Sequence, residues 1–427
     1  MNQTASPPPQ ITTHPRLRDR WTRRLLCGQV RRHFRDGEIH LEDELGFESF
    51  GQPSDAHALR ARVTVHDPRF YSAVAFSGSV AAGEAYMKGW WSCDDLTALC
   101  QLVCRNMDAF AGMDGPLAWL ANGFNRLTHV FRRNSQHGSR RNIGAHYDLG
   151  NEFFGVFLDE TMMYSAALFD GEDTPLYDAS VAKLDHICQK LELSPRDHLL
   201  EIGTGWGGFA LHAAREYGCR VTTVTISRKQ HEMATRRIAD AGLQDRVTVL
   251  LKDYRELTGS FDKIVSIEMV EAVGEAFLDT YFRVCSNLLR PDGMMLLQGI
   301  TIADRHFDRY RRTVDFIQRY IFPGGFLPSV ACLTNSIARG GDLRVYHLED
   351  FGTHYATTLR HWRQRFHANL DDVRRQGYSD EFIRMWEYYL CYCEAGFLEH
   401  HTGLVQVLLT KPLNRRAPII ARQPFSA

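Results

Sequence analysis

The sequence predicts an α/β chain built on a mostly parallel sheet, with a smaller α+β part before it. Three observations predict it. From residue 180 on, apolar strand candidates alternate with helical segments, the order that gives a parallel sheet covered on both faces. A glycine-rich turn, Gly203-Thr204-Gly205-Trp206-Gly207-Gly208, joins the first of these strands to the first helix. Before residue 142 the pattern changes to short strand-like runs, an aromatic pair at Trp90-Trp91 and a polar, Arg-rich stretch.

Taken in order, residues 1–15 carry Pro7, Pro8, Pro9 and Pro15 among Ser, Thr and Gln and read as a disordered tail. Arg16, Arg18, Arg20, Arg23, Arg24, Arg31, Arg32 and Arg35 follow, with Asp19 as the one acid among them. This stretch reads either as a solvated, flexible arm or as an attractor of anionic lipid. Residues 37–75 read as short strands, with turns at Asp67-Pro68 and Ser77-Gly78, and Glu84–Arg105 reads as helix. The domain reading is therefore 16–124, a basic linker at 125–142 with Arg132, Arg133, Arg140 and Arg141, and a second domain at 143–415. In the second domain the strands are His198–Ile202, Arg220–Ile226, Arg246–Leu251, Asp262–Ile267 and Gly293–Ile302. Helices Gly208–Tyr217, Arg228–Ala241 and Ala276–Leu289 separate them, and a last strand, Leu404–Thr410, follows two helical segments near 355–375 and 380–400.

Composition bounds the function. The chain has 427 residues, 50 Lys and Arg against 51 Asp and Glu, 44% hydrophobic and 24% charged residues. These values exclude a disordered chain, a fibre and a strongly basic nucleic-acid binder. A membrane span needs ~20 mostly apolar residues in a row, and no such run occurs. Near-neutrality hides a basic part before residue 142 and an acidic part after it, so it does not exclude a membrane surface. The ten cysteines form no C-x-x-C, and no His pair completes zinc spacing. They read as reduced thiols of a cytoplasmic protein without a metal.

The glycine turn is the strongest motif. Gly203, Gly205 and Gly208 fit G-x-G-x-x-G, which dinucleotide and methyl-donor folds share. A dinucleotide site usually places an acid ~20 residues on for the ribose. None occurs between Glu216 and Glu232, where the strand ends Thr223-Val224-Thr225-Ile226-Ser227. Glu201 precedes the first glycine, and Lys252-Asp253-Tyr254 ends the third strand, which suits a compact cationic adenosyl ligand. Thr225 and Tyr254, taken alone, equally suit sheet-edge packing.

Beyond this turn the pieces become recognisable: His146-Tyr147-Asp148-Leu149-Gly150-Asn151, Met163-Tyr164-Ser165, Glu201–Gly208, Asp253-Tyr254-Arg255, Glu268–Gly274 and Tyr320-Ile321-Phe322-Pro323. Together with Asp67-Pro68-Arg69-Phe70 and Gly83–Trp91, they resemble the cyclopropane-fatty-acyl-phospholipid synthase family of S-adenosylmethionine-dependent methyltransferases across residues 55–412. The resemblance implies a class I methyltransferase (Rossmann-like) fold with a seven-stranded, mostly parallel sheet after a lipid-engaging domain. It implies methyl transfer from S-adenosylmethionine to a cis double bond of a phospholipid acyl chain, through a carbocation that loses a proton as a ring closes. The donor site it implies uses Tyr164, Ser165, Glu201, Gly203 and Gly205, with Thr225 and Gln230 at the ribose or adjoining backbone and Asp253 and Tyr254 at the adenine.

The base site departs from the pattern. Ring-forming relatives hold a bicarbonate as proton acceptor, and Glu271, Tyr320 and Ile300 match that cage. Ala166 stands where a Cys is expected, Gln298 where a His is expected, and Ala272 where a His often follows the Glu. Gln298 can still donate an N–H to an anion, and a backbone amide can replace the thiol, so a bicarbonate relay stays open. Two lipid readings remain: a cyclopropane ring, or a methyl- or methylene-branched chain. Outside them stand a small-molecule methyltransferase and a binding-only module. The acidity of the catalytic part argues against nucleic acid. Phe153, Phe154, Phe157, Tyr310, Phe316, Tyr320, Phe322 and Phe326, with Trp386, Tyr388 and Tyr389, are candidates for an acyl tunnel or for plain core. By resemblance the protein is a homodimer, peripherally bound to the inner face of the membrane.

Overall fold

The computed structural model describes residues 16–52, 59–107 and 149–419. The proline-rich tail, the basic linker and His146-Tyr147-Asp148 lie outside the described residues. Contacts group the chain into two units interleaved in sequence, rather than consecutive as the linker reading has it. The first is Met1–Glu160 with Ile302–Phe326 and Gly352–Gly403, and the second is Thr161–Thr301 with Leu327–Phe351 and Leu404–Ala427.

The first unit begins with a helix, Leu17–His33, so the Arg-rich stretch is not a flexible arm. Asp19, at the third helical position, accepts from the Arg16 N–H at 3.2 Å, and Asp19, Thr22, Cys27 and Val30 form its buried side. Strands β1 (Gly37–Asp43) and β2 (Gly46–Gln52) form a hairpin. Its turn is set by the Leu45 N–H donating to Asp43 at 2.8 Å and by Gly46 at φ 128°. Strand β3 (Arg60–Val65) runs parallel to β1 and pairs antiparallel with β4 (Trp91–Cys93), giving the order β2-β1-β3-β4. Two expectations fail here. Residues 69–75 belong to a helix, Arg69–Met87, kinked at Gly78, and β4 divides it from Leu96–Arg105. The Ser77-Gly78 turn signal marks that kink: Gly78 has φ 66°. The long helix Asp380–Leu398 packs against Arg69–Met87, Leu96–Arg105 and Gly352–Ala368. Gly83 lets Phe316 close on the helix, since a Cβ there would stand 2.5 Å from that ring.

The second unit is the predicted α/β layer. In chain order its strands are β5 (His198–Ile202), β6 (Arg220–Thr225), β7 (Val247–Leu251), β8 (Phe261–Ile267), β9 (Leu289–Ile302), β10 (Arg344–Asp350) and β11 (Thr402–Thr410). They form one sheet in the order β10-β11-β9-β8-β5-β6-β7. Pairs β5/β6, β6/β7, β5/β8 and β8/β9 are parallel, and β10/β11 is antiparallel. Leu199, Val221, Val265 and Leu296 from the sheet bury against Leu184, Ile187 and Leu191 of the helix Leu176–Lys190 and its C-cap, and against Phe209 and Ala213 of Gly208–Glu216. Strand β10 was missing from the sequence reading because it is a half-exposed edge. Arg-Val-Tyr-His-Leu-Glu-Asp lacks a buried apolar face, and charge on such an edge blocks further pairing. The strand order reverses beside β5, which opens a crevice at the carboxyl ends of the strands.

Candidate active site

The predicted residues of the second unit gather at those carboxyl ends. Gly203 and Gly205 follow β5 with φ of 104° and 51°, left-handed values that favour glycine. A Cβ at Gly205 would meet nothing within 4 Å, so the loop leaves open space at the helix entry. Gly208 serves packing instead: a Cβ there would stand 2.5 Å from the Thr161 carbonyl oxygen and 2.8 Å from the Met163 sulfur. The segment that carries Tyr164 and Ser165 therefore rests on the first turn of this helix. Arg237 ties the same parts together, donating to the carbonyls of Thr161 at 3.1 Å and Trp206 at 2.8 Å.

Beneath the loop lies a buried polar cluster. Glu201 accepts from Thr223 at 2.6 Å, Thr223 meets Thr204 at 2.7 Å, and the fully buried Lys183 donates to Ser165 at 2.7 Å. Burial pushes the Glu201 carboxyl up to about 8, against the opposing pull of the Thr223 bond and the Lys183 charge. Sequence reasoning missed Lys183, although a lysine four residues before Ile187 sits on the helix's buried stripe. At the end of β6, Thr225 donates to Gln230 at 2.8 Å and accepts from the Ser227 N–H at 3.1 Å, which fixes the start of the helix Arg228–Asp240. After β7, Asp253 is held by Arg255 at 2.7 and 2.8 Å, and Tyr254 packs edge-on against Tyr281. A carboxylate with two oxygens has acceptor capacity beyond one Arg.

Glu271 and Ile300 meet as expected: the Ile300 N–H donates to one oxygen of Glu271 at 2.5 Å. The other Glu271 oxygen is buried without a hydrogen-bond partner. Burial pushes this carboxyl up to about 8, the Glu268 charge adds to the rise, and the Ile300 bond opposes it. Such a group can take up or give a proton near neutral pH. Gly299 makes room for it, since a Cβ there would stand 2.8 Å from Val270 and 3.7 Å from Glu271.

Glu268, quoted in the sequence only as the start of a matching stretch, was given no role there. Its carboxylate accepts from the Ala166 N–H at 2.9 Å and from the Gln298 amide at 2.8 Å. These are two of the three positions, with Ala272, at which the chain departs from the family pattern. Glu268 also has φ 50°, a left-handed conformation that a non-glycine residue adopts at a cost. The only sequence sign was an acid three residues before Glu271. The N–H groups of Ala166 and Ile300 and the amide nitrogen of Gln298 thus serve the chain's own carboxylates.

Tyr320 lies in the first unit. Its hydroxyl donates to Glu84 at 2.7 Å, Arg319 pairs with the same carboxylate at 3.0 Å, and burial followed by the Glu84 bond pushes the hydroxyl up to about 12. The tunnel candidates divide. Phe153, Phe154 and Phe157 are fully buried and pack edge-on or tilted against Trp386, with Phe366 beside Phe153 and Phe157, and so belong to the core. Phe316 instead packs with Tyr320 and Tyr388, and Phe322 with Tyr389.

A mostly parallel seven-stranded sheet whose order reverses beside β5, with an open glycine cradle after that strand, is the layout of the class I S-adenosylmethionine-dependent methyltransferases, and this chain is one of them. The open space at Gly205 and the polar ends of β5, β6 and β7 fit the adenosyl donor. Within that class the chain belongs to the mycolic acid cyclopropane synthetase family, whose profile matches residues 134–407. It is 40% identical over 354 residues to the cyclopropane-fatty-acyl-phospholipid synthase of Escherichia coli K12, covering 82% of this chain and 88% of that protein. It is 38% identical over 345 residues to the tuberculostearic acid methyltransferase UfaA1 of Mycobacterium tuberculosis, covering 78% and 79%. The solved structure of the mycolic acid cyclopropane synthase CmaA1 complexed with SAH and CTAB is 32% identical, with a TM-score of 0.60 over 64% of this chain and 98% of that one. Among the described residues no helix is long and apolar enough to cross a membrane.

Proposed function

We propose that this enzyme methylates a cis double bond in an unsaturated phospholipid acyl chain and closes a cyclopropane ring, with Glu271 as the base. S-adenosylmethionine supplies an electrophilic methyl on a sulfonium. The π electrons of the double bond form the new C–C bond as the C–S bond breaks, which leaves a cation on the neighbouring acyl carbon. Glu271 takes a proton from the added methyl, and the freed C–H pair closes the ring on the cation. The observation that carries this reading is the buried, unpartnered oxygen of Glu271, with its proton affinity near neutral pH. An alkene is a weak nucleophile, so holding it in line with the methyl contributes much of the rate, up to ~7–11 kcal/mol in ideal cases.

A second reading has one specific observation in its favour. Glu268 stands where the family pattern leads one to expect a cage for a bound anion. With the anion cage replaced by a carboxylate, a hydride can move from the methyl-bearing carbon to the neighbouring cation before the proton leaves; loss of a proton from the added methyl then forms a C=C bond to it and leaves a methylene branch. NMR of the acyl products from enzyme, donor and unsaturated phospholipid separates the two: ring protons support the first reading, an exocyclic alkene the second, and no acyl product opposes both.

The same reading makes the first unit the lipid-engaging part. Support comes from the helix Leu17–His33. Leu17, Trp21 and Leu25, spaced four apart, are 86%, 58% and 50% exposed, and Arg20, Arg24 and Arg32 share that face. An exposed Trp and Leu stripe flanked by Arg suits the interface of an anionic bilayer. Arg23 is turned inward, paired with Asp43 at 2.6 Å and Glu48 at 3.4 Å, and Arg31 also pairs with Glu48. Peripheral association as a homodimer at the inner membrane face completes the proposal, on the strength of the family resemblance.

A further inference from the structure

Behind the base site runs a line of buried polar side chains that the reaction as described does not use. Gln298 of β9 donates from its amide nitrogen to Glu268 at 2.8 Å. Its amide oxygen accepts from the Gln406 nitrogen, on β11, at 2.9 Å. The Gln406 oxygen in turn accepts from the ammonium of Lys190 at 2.8 Å. Lys190 also bonds to Glu349 of β10, which His186 holds at 2.9 Å. Gln298, Gln406 and Lys190 are all buried. Burial works against the Glu349 charge, but the His186 and Lys190 bonds hold its carboxyl down to about 2, so Lys190 keeps an ionised partner.

Two amides in series can each face either way. Here the ends remove the choice. A lysine ammonium has donors only, and an ionised carboxylate has acceptors only. Lys190 therefore turns the Gln406 carbonyl toward itself, and the Gln406 N–H must face Gln298. Gln298 then shows its carbonyl to Gln406 and its N–H to Glu268. Any other arrangement sets two like groups against each other in a dry interior, where an unmade hydrogen bond is costly.

We propose that Lys190 and Gln406 are positioning residues, which fix the amide of Gln298 so that its N–H holds Glu268 beside the catalytic Glu271. With Gln298 reversed, two acceptors would face each other where the 2.8 Å bond now lies, and Glu268 would leave the Ala166 N–H. The charge next to Glu271 would shift with it. This inference rests on the proposed role of Glu271.

The test uses Gln406→Glu, which conserves volume. One carboxylate oxygen keeps the Lys190 bond, and the other replaces the N–H that faced the Gln298 carbonyl. Gln298 must then rotate. The expected result is a loss in kcat of ~10-fold or more, with a cooperative thermal transition retained and donor affinity by calorimetry within about twofold of wild type. A kcat within about twofold of wild type overturns the proposal. Lys190→Met and Lys190→Arg give an independent comparison, because Arg also offers only donors. Arg should retain much more turnover than Met, and equal turnover overturns the proposal. Both comparisons require an active wild type. A wild type that gives no acyl product counts instead against the function proposed above.

Discussion

Turnover should rise as the pH passes through the region of 8, and replacing Glu268 by Gln should move that rise to lower pH. The sign follows from the causes acting on Glu271. Burial and the negative charge of Glu268 both disfavour its ionised form, and its carboxyl stands at about 8. A base works only when ionised, so about one molecule in ten is competent at pH 7 and nine in ten at pH 9. The proton-transfer step should therefore quicken roughly tenfold between these values. The bonds from Ala166 and Gln298 go to a single oxygen of Glu268, so a Gln at this position can keep these two with its carbonyl. Glu268→Gln removes a like charge and keeps the Ala166 and Gln298 bonds. The Glu271 carboxyl should fall, and remain raised because burial is the larger cause. The assay is kcat against pH at saturating donor and lipid, with single-turnover rates to isolate the chemical step. A rise that stays in place in Glu268→Gln, or moves to higher pH, would refute the reasoning.

Gly208→Ala should weaken donor binding and cost about 1–3 kcal/mol of stability, because the new methyl would press on the Thr161 carbonyl; calorimetric titration and thermal melts check both. Replacing Leu17, Trp21 and Leu25 by Gln should reduce partition onto anionic vesicles at all salt concentrations. Replacing Arg20, Arg24 and Arg32 by Gln should reduce it by about two orders of magnitude at low salt and far less at high salt, at ~1 kcal/mol per residue. Unchanged flotation in either set would discard that helix as the membrane contact. Arg23→Gln should instead lower Tm, because it leaves the largely buried Asp43 without its pair.

Much of the second unit was legible because its signals are local. Strands β5 to β9 read as apolar runs, and the glycine loop states its own turn, so the Rossmann-like layer could be placed within a few residues. The glycines, Glu201 and Asp253-Tyr254 followed from the order of strands and helices, and Tyr164, Ser165, Gln230, Glu271, Gln298 and Ile300 from the family resemblance. What stayed hidden depended on distant partners. Strand β10 has no buried apolar face of its own and exists because β11 pairs with it. Lys183, Lys190 and Gln406 look like ordinary helix and strand residues until the fold brings them to Ser165, Glu349 and Gln298. Glu268 shows in the sequence as an acid, but nothing there shows that the backbone turns left-handed and aims it at Ala166. In the first unit, short strands and helices share the same mixed composition, so Arg69–Met87 could not be told from strand by periodicity across its kink. The Arg-rich stretch was read by charge alone, and its buried side, Asp19, Thr22, Cys27 and Val30, explains why it is helix.

The central claim is that Glu271 removes the proton after methyl transfer to the acyl chain. Glu271→Gln keeps the acceptor for the Ile300 N–H and removes the base. Donor binding to this variant, measured by calorimetry, should match wild type, while product from unsaturated phospholipid should fall by ~100-fold or more. Wild-type turnover in Glu271→Gln, with the same acyl product, would contradict the account.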